Sequence, residues 1–155
     1  YVPDLRKAVA NIHRMLKPKG DFFANLFSYN YLFDIYEQLS TVEKWKPYVH
    51  DYKRKMNQFQ NTVNFKEYFQ NTLSNGGFNV RYCTEERKVM VYSRDHFEGI
   101  MKAVNYLNVP KYLEDELVYD QYNIVRNADK VFIDEYGEEQ VHWQYTLLIV
   151  NASTM

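Results

Sequence analysis

A cluster of aromatic side chains near the start of the chain is the first feature that could bind a ligand. Its members are Phe27, Tyr29, Tyr31, Phe33 and Tyr36. Aromatic rings carry large apolar surfaces, which either bind apolar molecules or pack inside a core. The cluster begins where the apolar run over residues 22–27 ends, and this run predicts a buried strand. Because ligands of open α/β sheets bind beyond the carboxyl ends of parallel strands, we predict a site around residues 26–31.

The remaining reactive side chains predict little chemistry of their own. The histidines lie far apart in the sequence, at His13, His50, His96 and His142. They lack the short spacings of a metal site, so none is expected. Cys83 stands in a predicted strand without a nearby Cys or His, and we interpret it as an inert thiol. The sequence therefore assigns no catalytic residue.

The charge balance and the cysteine count exclude several partners and compartments. The 155 residues include 19 Lys and Arg and 20 Asp and Glu, so no net charge attracts nucleic acid or an anionic membrane surface. No apolar run approaches the roughly 20 residues of a membrane helix. A single cysteine cannot form an intrachain disulfide and is typical of a reducing compartment, so we predict a cytoplasmic protein.

The elements that must position the aromatic cluster are a helix, a tight turn and a strand. Apolar residues recur at helical spacing in residues 3–16, at Leu5, Val9, Ile12 and Leu16. Pro18 cannot continue this helix, and Gly20 is predicted to take the positive φ that the turn needs. The strand over residues 22–27 is apolar at nearly every position. We therefore expect it to be covered on both faces, as in parallel sheets.

This turn resembles that of a known family. Met15-Leu16-Lys17-Pro18-Lys19-Gly20 is similar to the Leu-Leu-Lys-Pro-Gly-Gly entry to the fifth strand of class I S-adenosylmethionine-dependent methyltransferases, with Lys19 in place of the first Gly. Residues 8–16, 33–36, 44–45 and 103–105 resemble segments of the arthropod juvenile hormone acid methyltransferase-like branch. The resemblance covers nearly the whole chain, but only the second half of that family's catalytic domain.

The resemblance implies an α/β fold, namely the C-terminal part of a Rossmann-like seven-stranded methyltransferase sheet. The fifth, sixth and seventh strands would be residues 22–27, 78–85 and 141–150. The seventh would run antiparallel and lie between the other two. Helical segments within residues 29–61 and 94–128 would form a lid. Residues 1–155 are thus expected to be a partial methyltransferase domain, and the chain, which begins at Tyr1 rather than Met, the tail of a longer protein.

The other residue patterns predict the remaining elements. A helix over residues 64–73 has Asn64 as its expected N-cap, and Ser93 or Asp95 is expected to cap a later helix. Residues 78–92 form either one strand with a bulge or two short strands. Further predicted elements are a helix over residues 110–127, a short strand over 131–133, a loop or exposed surface segment over 51–61 and a polar tail from Asn151.

The resemblance implies S-adenosylmethionine as the cofactor, but the sequence lacks the means to hold it. The glycines stand at Gly20, Gly76, Gly77, Gly99 and Gly137. None forms a Gly-x-Gly turn after a strand, which such a site needs. We assign no cofactor-binding residue in this chain, and we expect the missing N-terminal half to bind most of the cofactor. This chain alone is expected to be inactive.

The resemblance implies methyl transfer to the carboxylate of a small apolar acid, such as farnesoic acid or juvenile hormone acid. A carboxylate is already a nucleophile, so catalysis is mostly positioning in a dry pocket and no acid–base pair is required. The aromatic cluster would contact the acyl chain, although the same rings also suit a core. A methyltransferase for small polar acids of the trans-aconitate type, which a Lys or Arg facing the substrate would favour, stays open. A non-catalytic binder of lipophilic ligands also stays open. The expected partner is a small carboxylic acid, and the sequence leaves a homodimer open.

Overall fold

A computed structural model shows an α/β fold. The structure describes Val2 and residues 4–55, 59–60 and 62–155. Within these residues the strands are β1 (Asp21–Asn30), β2 (Phe78–Ser93), β3 (Val131–Ile133) and β4 (Glu139–Thr154). The helices are α1 (Leu5–Met15), α2 (Leu32–Leu39), α3 (Lys46–Val49), α4 (Tyr52–Lys55), α5 (Phe65–Asn75), α6 (Arg94–Ala103) and α7 (Glu114–Asn127), with a 3₁₀ turn at Lys111–Leu113.

The last strand lies in the middle of the sheet. β4 stands between β1 and β2, and β3 pairs with it antiparallel, with Val131 opposite Val141. The Thr154 N–H donates to the Gly20 carbonyl over 3.0 Å, and the Ser28 hydroxyl donates to the Thr146 carbonyl over 3.5 Å. These bonds at opposite ends of β1 show that β1 and β4 are antiparallel. The predicted direction and place of the last strand are confirmed, whereas its numbering within a seven-stranded sheet stays a prediction.

β1 does not have the burial that its composition predicts. Along the strand, exposed residues alternate with half-buried ones, and the side chains of Phe23 and Phe27 are 65% and 41% exposed. The expectation that residues 22–27 are covered on both faces is therefore wrong for the described structure. The apolar run hid the alternation because phenylalanine occupies outward positions where a half-exposed strand usually carries polar residues.

The turn before β1 is formed by a different residue from the one predicted. Lys19, not Gly20, takes the positive φ, at 59°. Gly20 is needed for space, since a Cβ atom there would lie 2.8 Å from the Lys17 carbonyl oxygen. The Thr154 hydroxyl closes the turn by accepting from the Gly20 N–H over 3.0 Å and donating to the Lys17 carbonyl over 2.9 Å. The segment from Asn151 is therefore the end of β4 and not a polar tail.

The chain divides into two units, each with its own core. The first contains Tyr1–Tyr29, Asn57–Lys88 and Tyr145–Met155. In it, α1 and α5 pack together, and the buried residues are Val9, Phe65, Phe69, Leu73, Phe78, Leu148, Val150 and Ala152. The second contains Asn30–Met56 and Val89–Gln144, and its α7 packs on α2 and α6. Its largest fully buried side chains are Phe33, Ile35, Tyr36, Leu39, Trp45, Phe97, Met101, Leu117 and Tyr122.

Several local predictions are corrected or decided. Residues 78–93 form one strand, and Ser93 caps α6 by accepting from the His96 N–H over 3.4 Å. Asn64 precedes α5 with φ 59°, but its side chain makes no capping bond. The segment 51–61, predicted to be a loop or an exposed surface segment, includes the short helix α4, whose Tyr52 is only 5% exposed. Residues 56–58 and 61 of that segment lie outside the described residues.

Candidate functional site

The predicted aromatic cluster is divided between the two units. Phe27 and Tyr29 belong to the first unit, where the Phe27 ring meets Tyr145 edge to face at 5.5 Å. Tyr31, Phe33 and Tyr36 belong to the second unit, at the start of α2 and within it. Substrate contact by any of these five residues stays a prediction.

Phe33 and Tyr36 are core residues of the second unit in this structure. Each side chain is 1% exposed, and their rings meet at 6.3 Å. The Tyr36 hydroxyl donates to the Val104 carbonyl over 3.4 Å and accepts from the Tyr106 N–H over 3.3 Å. Tyr36 thus fixes the segment that follows α6, and its hydroxyl is used for structure.

Tyr31 stands at the carboxyl end of β1, where the sequence placed a site. The Asn30 side chain accepts from the Leu32 N–H over 3.0 Å, and this bond fixes the turn into α2. The Tyr31 N–H donates to the Gln144 carbonyl over 3.2 Å, and its ring lies perpendicular to Trp143 at 5.9 Å. Burial, and secondarily Asp34, raises the pKa of Tyr31, so its hydroxyl stays neutral near pH 7.

Lys130 completes this site and was missed by the sequence reading. Its Nζ atom lies 4.6 Å from the centre of the Tyr31 ring and donates to Gln144 Oε1 over 3.3 Å. The side chain is half-buried, and within the described part of the chain it forms no ion pair. An ammonium group has further N–H donors besides the one that Gln144 accepts, so this cation can receive an anion.

The end of α7 holds Lys130 in place. Asp129 takes a positive φ of 54°, and its N–H donates to the Arg126 carbonyl over 3.1 Å. The Lys130 N–H then donates to the Val125 carbonyl over 3.2 Å. The two hydrogen bonds together form a Schellman motif. The residue with positive φ in this motif is usually glycine. Because Asp129 occupies that position, the sequence does not predict the helix end that places Lys130.

The Tyr31–Lys130 site, defined by Tyr31, Lys130, Trp143 and Gln144, combines one cation with two aromatic rings. A lysine ammonium on the face of a tyrosine ring is attracted by the ring. A carboxylate placed there would gain a charge-assisted hydrogen bond, and an attached apolar chain would contact the rings. The arrangement therefore places side by side the two kinds of group that an acid with an apolar body would contact.

A second polar cluster in the same unit is already saturated. The Tyr122 hydroxyl donates to Glu139 over 2.5 Å, and the Arg94 guanidinium donates to Glu139 over 3.4 Å and to Glu98 over 3.0 Å. Burial, then the Glu139 carboxylate, raises the pKa of Tyr122 to about 12. The same hydrogen bond, more than the arginines, lowers the pKa of Glu139. Because Arg94 faces two carboxylates, it is a poor partner for a further anion.

The first unit has a shallow groove that contains none of the predicted site residues. Its volume is about 300 Å³, and it is lined by Arg6, Ala10, Tyr68, Asn71, Thr72, Asn75 and Gly76. Across the described residues, no group of three or more His, Cys, Asp or Glu side chains is arranged to hold a metal ion. Likewise, none of the helices described is long and apolar enough to cross a membrane.

The residues present do not fit an S-adenosylmethionine site. β1 is followed by Tyr31 and β2 by Arg94, so neither strand leads into its helix through a glycine. The glycines instead precede β1 and β2, lie inside α6, or form the turn between β3 and β4, at Gly20, Gly76, Gly77, Gly99 and Gly137. A glycine turn of the kind that approaches a cofactor closely is therefore absent from the described carboxyl ends of β1 and β2.

Comparison with known proteins finds that the chain is similar to methyltransferases. No family model matches the sequence. A crystal structure of a proposed methyltransferase from Bacillus halodurans aligns with 97% of this chain and 58% of its own, with a TM-score of 0.46 and 14% identity.

The chain is similar to two curated proteins, both juvenile hormone acid O-methyltransferases. With that of Bombyx mori it shares 24% identity over 129 residues, or 81% of this chain and 46% of the relative. With that of Drosophila melanogaster it shares 26% identity over 152 residues, or 88% of this chain and 50% of the relative. The resemblance predicted from the sequence is confirmed, and the chain spans about half the length of the curated relatives it matches.

Proposed function

We propose that this chain is part of an enzyme that moves a methyl group from S-adenosylmethionine to the carboxylate of a small apolar acid of the farnesoic or juvenile hormone acid kind. The similarity to two juvenile hormone acid O-methyltransferases supports the reaction class. The observation that carries the choice of an acid is Lys130, whose Nζ atom lies 4.6 Å from the Tyr31 ring without an ion-pair partner among the described residues.

Lys130 and its neighbours act by binding and orienting the acid. The ammonium receives the carboxylate, which is ionised near pH 7 and has no proton to lose before it reacts as a nucleophile. Burial raises the pKa of Tyr31 further above its ordinary value of 10.0, so the phenol is neutral near pH 7 and does not repel the bound carboxylate. Tyr31 and Trp143 are 5% and 7% exposed, and they limit the access of water to the carboxylate. These residues supply positioning, which is the main requirement of this reaction.

Binding of dodecanoic acid and of dodecanol, measured by titration calorimetry below their aggregation limits, tests the role of Lys130. Lys130→Met should weaken binding of the acid about tenfold, because one charge-assisted hydrogen bond is lost. Binding of the alcohol should change little, since it carries no charge. Lys111→Met, which removes an exposed lysine from the same unit, should leave both affinities unchanged. An equal loss for acid and alcohol in Lys130→Met would refute the assignment.

A small polar acid of the trans-aconitate type is the second candidate, because Lys130 is a cation of the kind that such a substrate needs. Competition between dodecanoic acid and trans-aconitate separates the two substrates. We expect dodecanoic acid to bind more tightly, since the aromatic rings beside Lys130 would make no favourable contact with the additional carboxylates of trans-aconitate. Displacement of dodecanoic acid by trans-aconitate at equal concentration would favour the polar acid.

A non-catalytic ligand binder differs from both enzymes in its product. Labelled S-adenosylmethionine offered to the full-length protein with dodecanoic acid should yield the labelled methyl ester. Tight binding of the acid without any ester would instead indicate a binding protein.

A further inference from the structure

β2 lies at an end of the strand order, so one of its edges faces no other strand in the described part of the sheet. Four charged residues stand in the middle of this strand, two acids followed by two bases: Glu85, Glu86, Arg87 and Lys88. Glu86 and Lys88 pair with each other, with Lys88 Nζ 2.6 Å from Glu86 Oε2. Glu85 and Arg87 are exposed, and neither forms an ion pair with another described residue. The edge strand therefore carries one unpaired acid and one unpaired base, two positions apart.

The stretch around these charges is open on both faces of the strand. Successive side chains of a strand point to opposite faces, so the two unpaired charges share one face and the two paired charges share the other. Val89, Met90 and Val91 follow directly and are 55%, 44% and 56% exposed. An open apolar strand edge pairs readily with another strand unless its charges repel that strand. The arrangement of the four charges therefore decides whether β2 can accept a second copy of itself.

The order of the charges favours one way of pairing two copies of β2. Two antiparallel copies are related by a two-fold axis perpendicular to the sheet, which places one residue opposite itself. With Glu86 on the axis, Glu85 lies opposite Arg87 of the second copy, and Arg87 lies opposite its Glu85. With Arg87 or Glu85 on the axis, that residue would face its own like charge instead, which is destabilising. Of these three registers, the one centred on Glu86 is therefore the one that pairs both unpaired charges.

The approach of the two Glu86 side chains in this register is offset by Lys88. Each Glu86 already has its own Lys88 as an ion-pair partner, so the two carboxylates meet as parts of two neutral pairs. Lys88 also lies diagonally across from Glu86 of the second copy, a separation that a long side chain can span. The four side chains can therefore form one network of alternating charge across the axis.

We propose that β2 is the interface of a homodimer, in which two antiparallel copies of the strand pair with Glu86 on the two-fold axis. Backbone hydrogen bonds between the two edges hold the copies together, and two Glu85–Arg87 pairs set the register. The contact is isologous, so it uses β2 of both copies and closes at two chains. It includes no residue of the Tyr31–Lys130 site, so the inference is tested independently of the proposed function.

Charge reversal tests the register, with the dissociation constant of the dimer measured by sedimentation over a range of concentrations. Arg87→Glu and Glu85→Arg should each raise this constant about tenfold, because both cross-strand pairs become like-charged. The double variant, Glu85→Arg with Arg87→Glu, restores opposite charges and should return the constant to within about threefold of the unmodified chain's. Arg6→Glu, which reverses an exposed arginine of α1, is the matched control and should leave the constant unchanged.

Disulfide formation tests the same register by distance, in a chain that carries Cys83→Ala to remove the native thiol. The two copies of the residue on the axis would have Cα atoms roughly 4.5–5.5 Å apart, which a disulfide can bridge. Glu86→Cys should therefore give a covalent dimer on mild oxidation. Lys88→Cys is the matched control, because its two copies would be offset by four residues along the strands, or roughly 13 Å, which is too far.

Each outcome decides for or against this interface. A dimer that either reversal weakens, that the double variant restores and that residue 86 cross-links would support it. An unmodified chain that stays monomeric at every concentration, or a dimer that Arg87→Glu leaves unchanged, would overturn it. Cross-linking through residue 88 rather than residue 86 would overturn the register. Stronger association in Glu85→Gln with Arg87→Gln would also overturn the proposal, because the charges would then protect the edge from pairing.

Discussion

At the scale of single residues, Lys19 carries the least favourable backbone conformation in the turn before β1. A residue with a Cβ atom pays about 1 kcal/mol or more for the left-handed region, whereas glycine adopts it freely. Lys19→Gly should therefore raise the free energy of unfolding by about 0.5–1 kcal/mol, as measured by urea denaturation. The gain is smaller than the full strain because glycine also loses more chain entropy on folding.

Gly20→Ala provides the matched comparison within the same turn. Its added Cβ would meet the Lys17 carbonyl oxygen at 2.8 Å, so we expect a loss of stability where Lys19→Gly gives a gain. If Lys19→Gly is destabilising, the positive φ is not a source of strain and the description of this turn is wrong.

The hydrogen bond between Tyr122 and Glu139 should make stability depend on pH at both extremes. The pKa of Tyr122 is raised to about 12, so its contribution is complete below pH 10 and is lost as the pH rises toward 12. The pKa of Glu139 is lowered, so its contribution is present above its ordinary value of 4.5 and is lost as the pH falls through the lowered pKa. Tyr122→Phe should reduce the loss of unfolding free energy at both high and low pH, as measured by denaturation across the pH range.

Tyr119→Phe is the control for that measurement. Tyr119 lies on the same helix and is 55% exposed, so the same loss of a hydroxyl should leave the pH profile unchanged. Profiles of Tyr122→Phe that run parallel to those of the unmodified chain at both extremes would show that this pair does not couple folding to pH.

At the scale of elements, sequence periodicity located the helices better than it described the sheet. The stripe of Leu5, Val9 and Ile12 predicts α1. The helical spacing of these apolar residues can be recognised whichever residues occupy the opposite face of the helix. β1 was misjudged since an exposed Phe23 and a buried strand residue look alike in sequence. The sequence does not predict that β4 continues to Thr154, because its last residues are polar. The hydroxyl of Thr154 is paired with the backbone of Lys17 and Gly20, and these partners are brought near it only by the folded turn.

The candidate site shows the same division between local and non-local information. The position of Tyr31 at the carboxyl end of β1 could be predicted from the local sequence alone, because it requires only that the strand end be located. Lys130 and Gln144 are about a hundred residues further along the chain and carry no motif, so their approach to Tyr31 depends on the pairing of β1 with β4.

β2 carries an exposed apolar stretch at an end of the strand order. The side chains of Val89, Met90 and Val91 are 55%, 44% and 56% exposed, and such strand edges promote association between chains. Val91→Lys should raise the concentration at which the chain begins to aggregate, as followed by light scattering, with little change in stability. Val80→Lys on the same strand should instead destabilise the chain, since Val80 packs against the core of the first unit.

At the scale of the whole molecule, the chain holds a proposed acid site, and its described strand ends offer no glycine turn for S-adenosylmethionine. We therefore expect titration calorimetry of this chain with S-adenosylmethionine to show no saturable binding, while dodecanoic acid binds the same sample and proves it competent. Tight, saturable binding of the cofactor would show that residues outside a glycine turn can hold it. A homodimer and a cytoplasmic location stay predictions, which sedimentation and cell imaging would decide.

The central position of β4 has a consequence for how the protein is made. Residues 139–154 leave the ribosome after β1 and β2, yet both earlier strands take β4 as their neighbour in the sheet. During synthesis, the hydrogen bonds that β1 and β2 make with β4 must therefore stay unmade while both earlier strands are already exposed to solvent. These strands most need chaperone protection in that interval, because their pairing with β4 forms only after translation has passed Thr154.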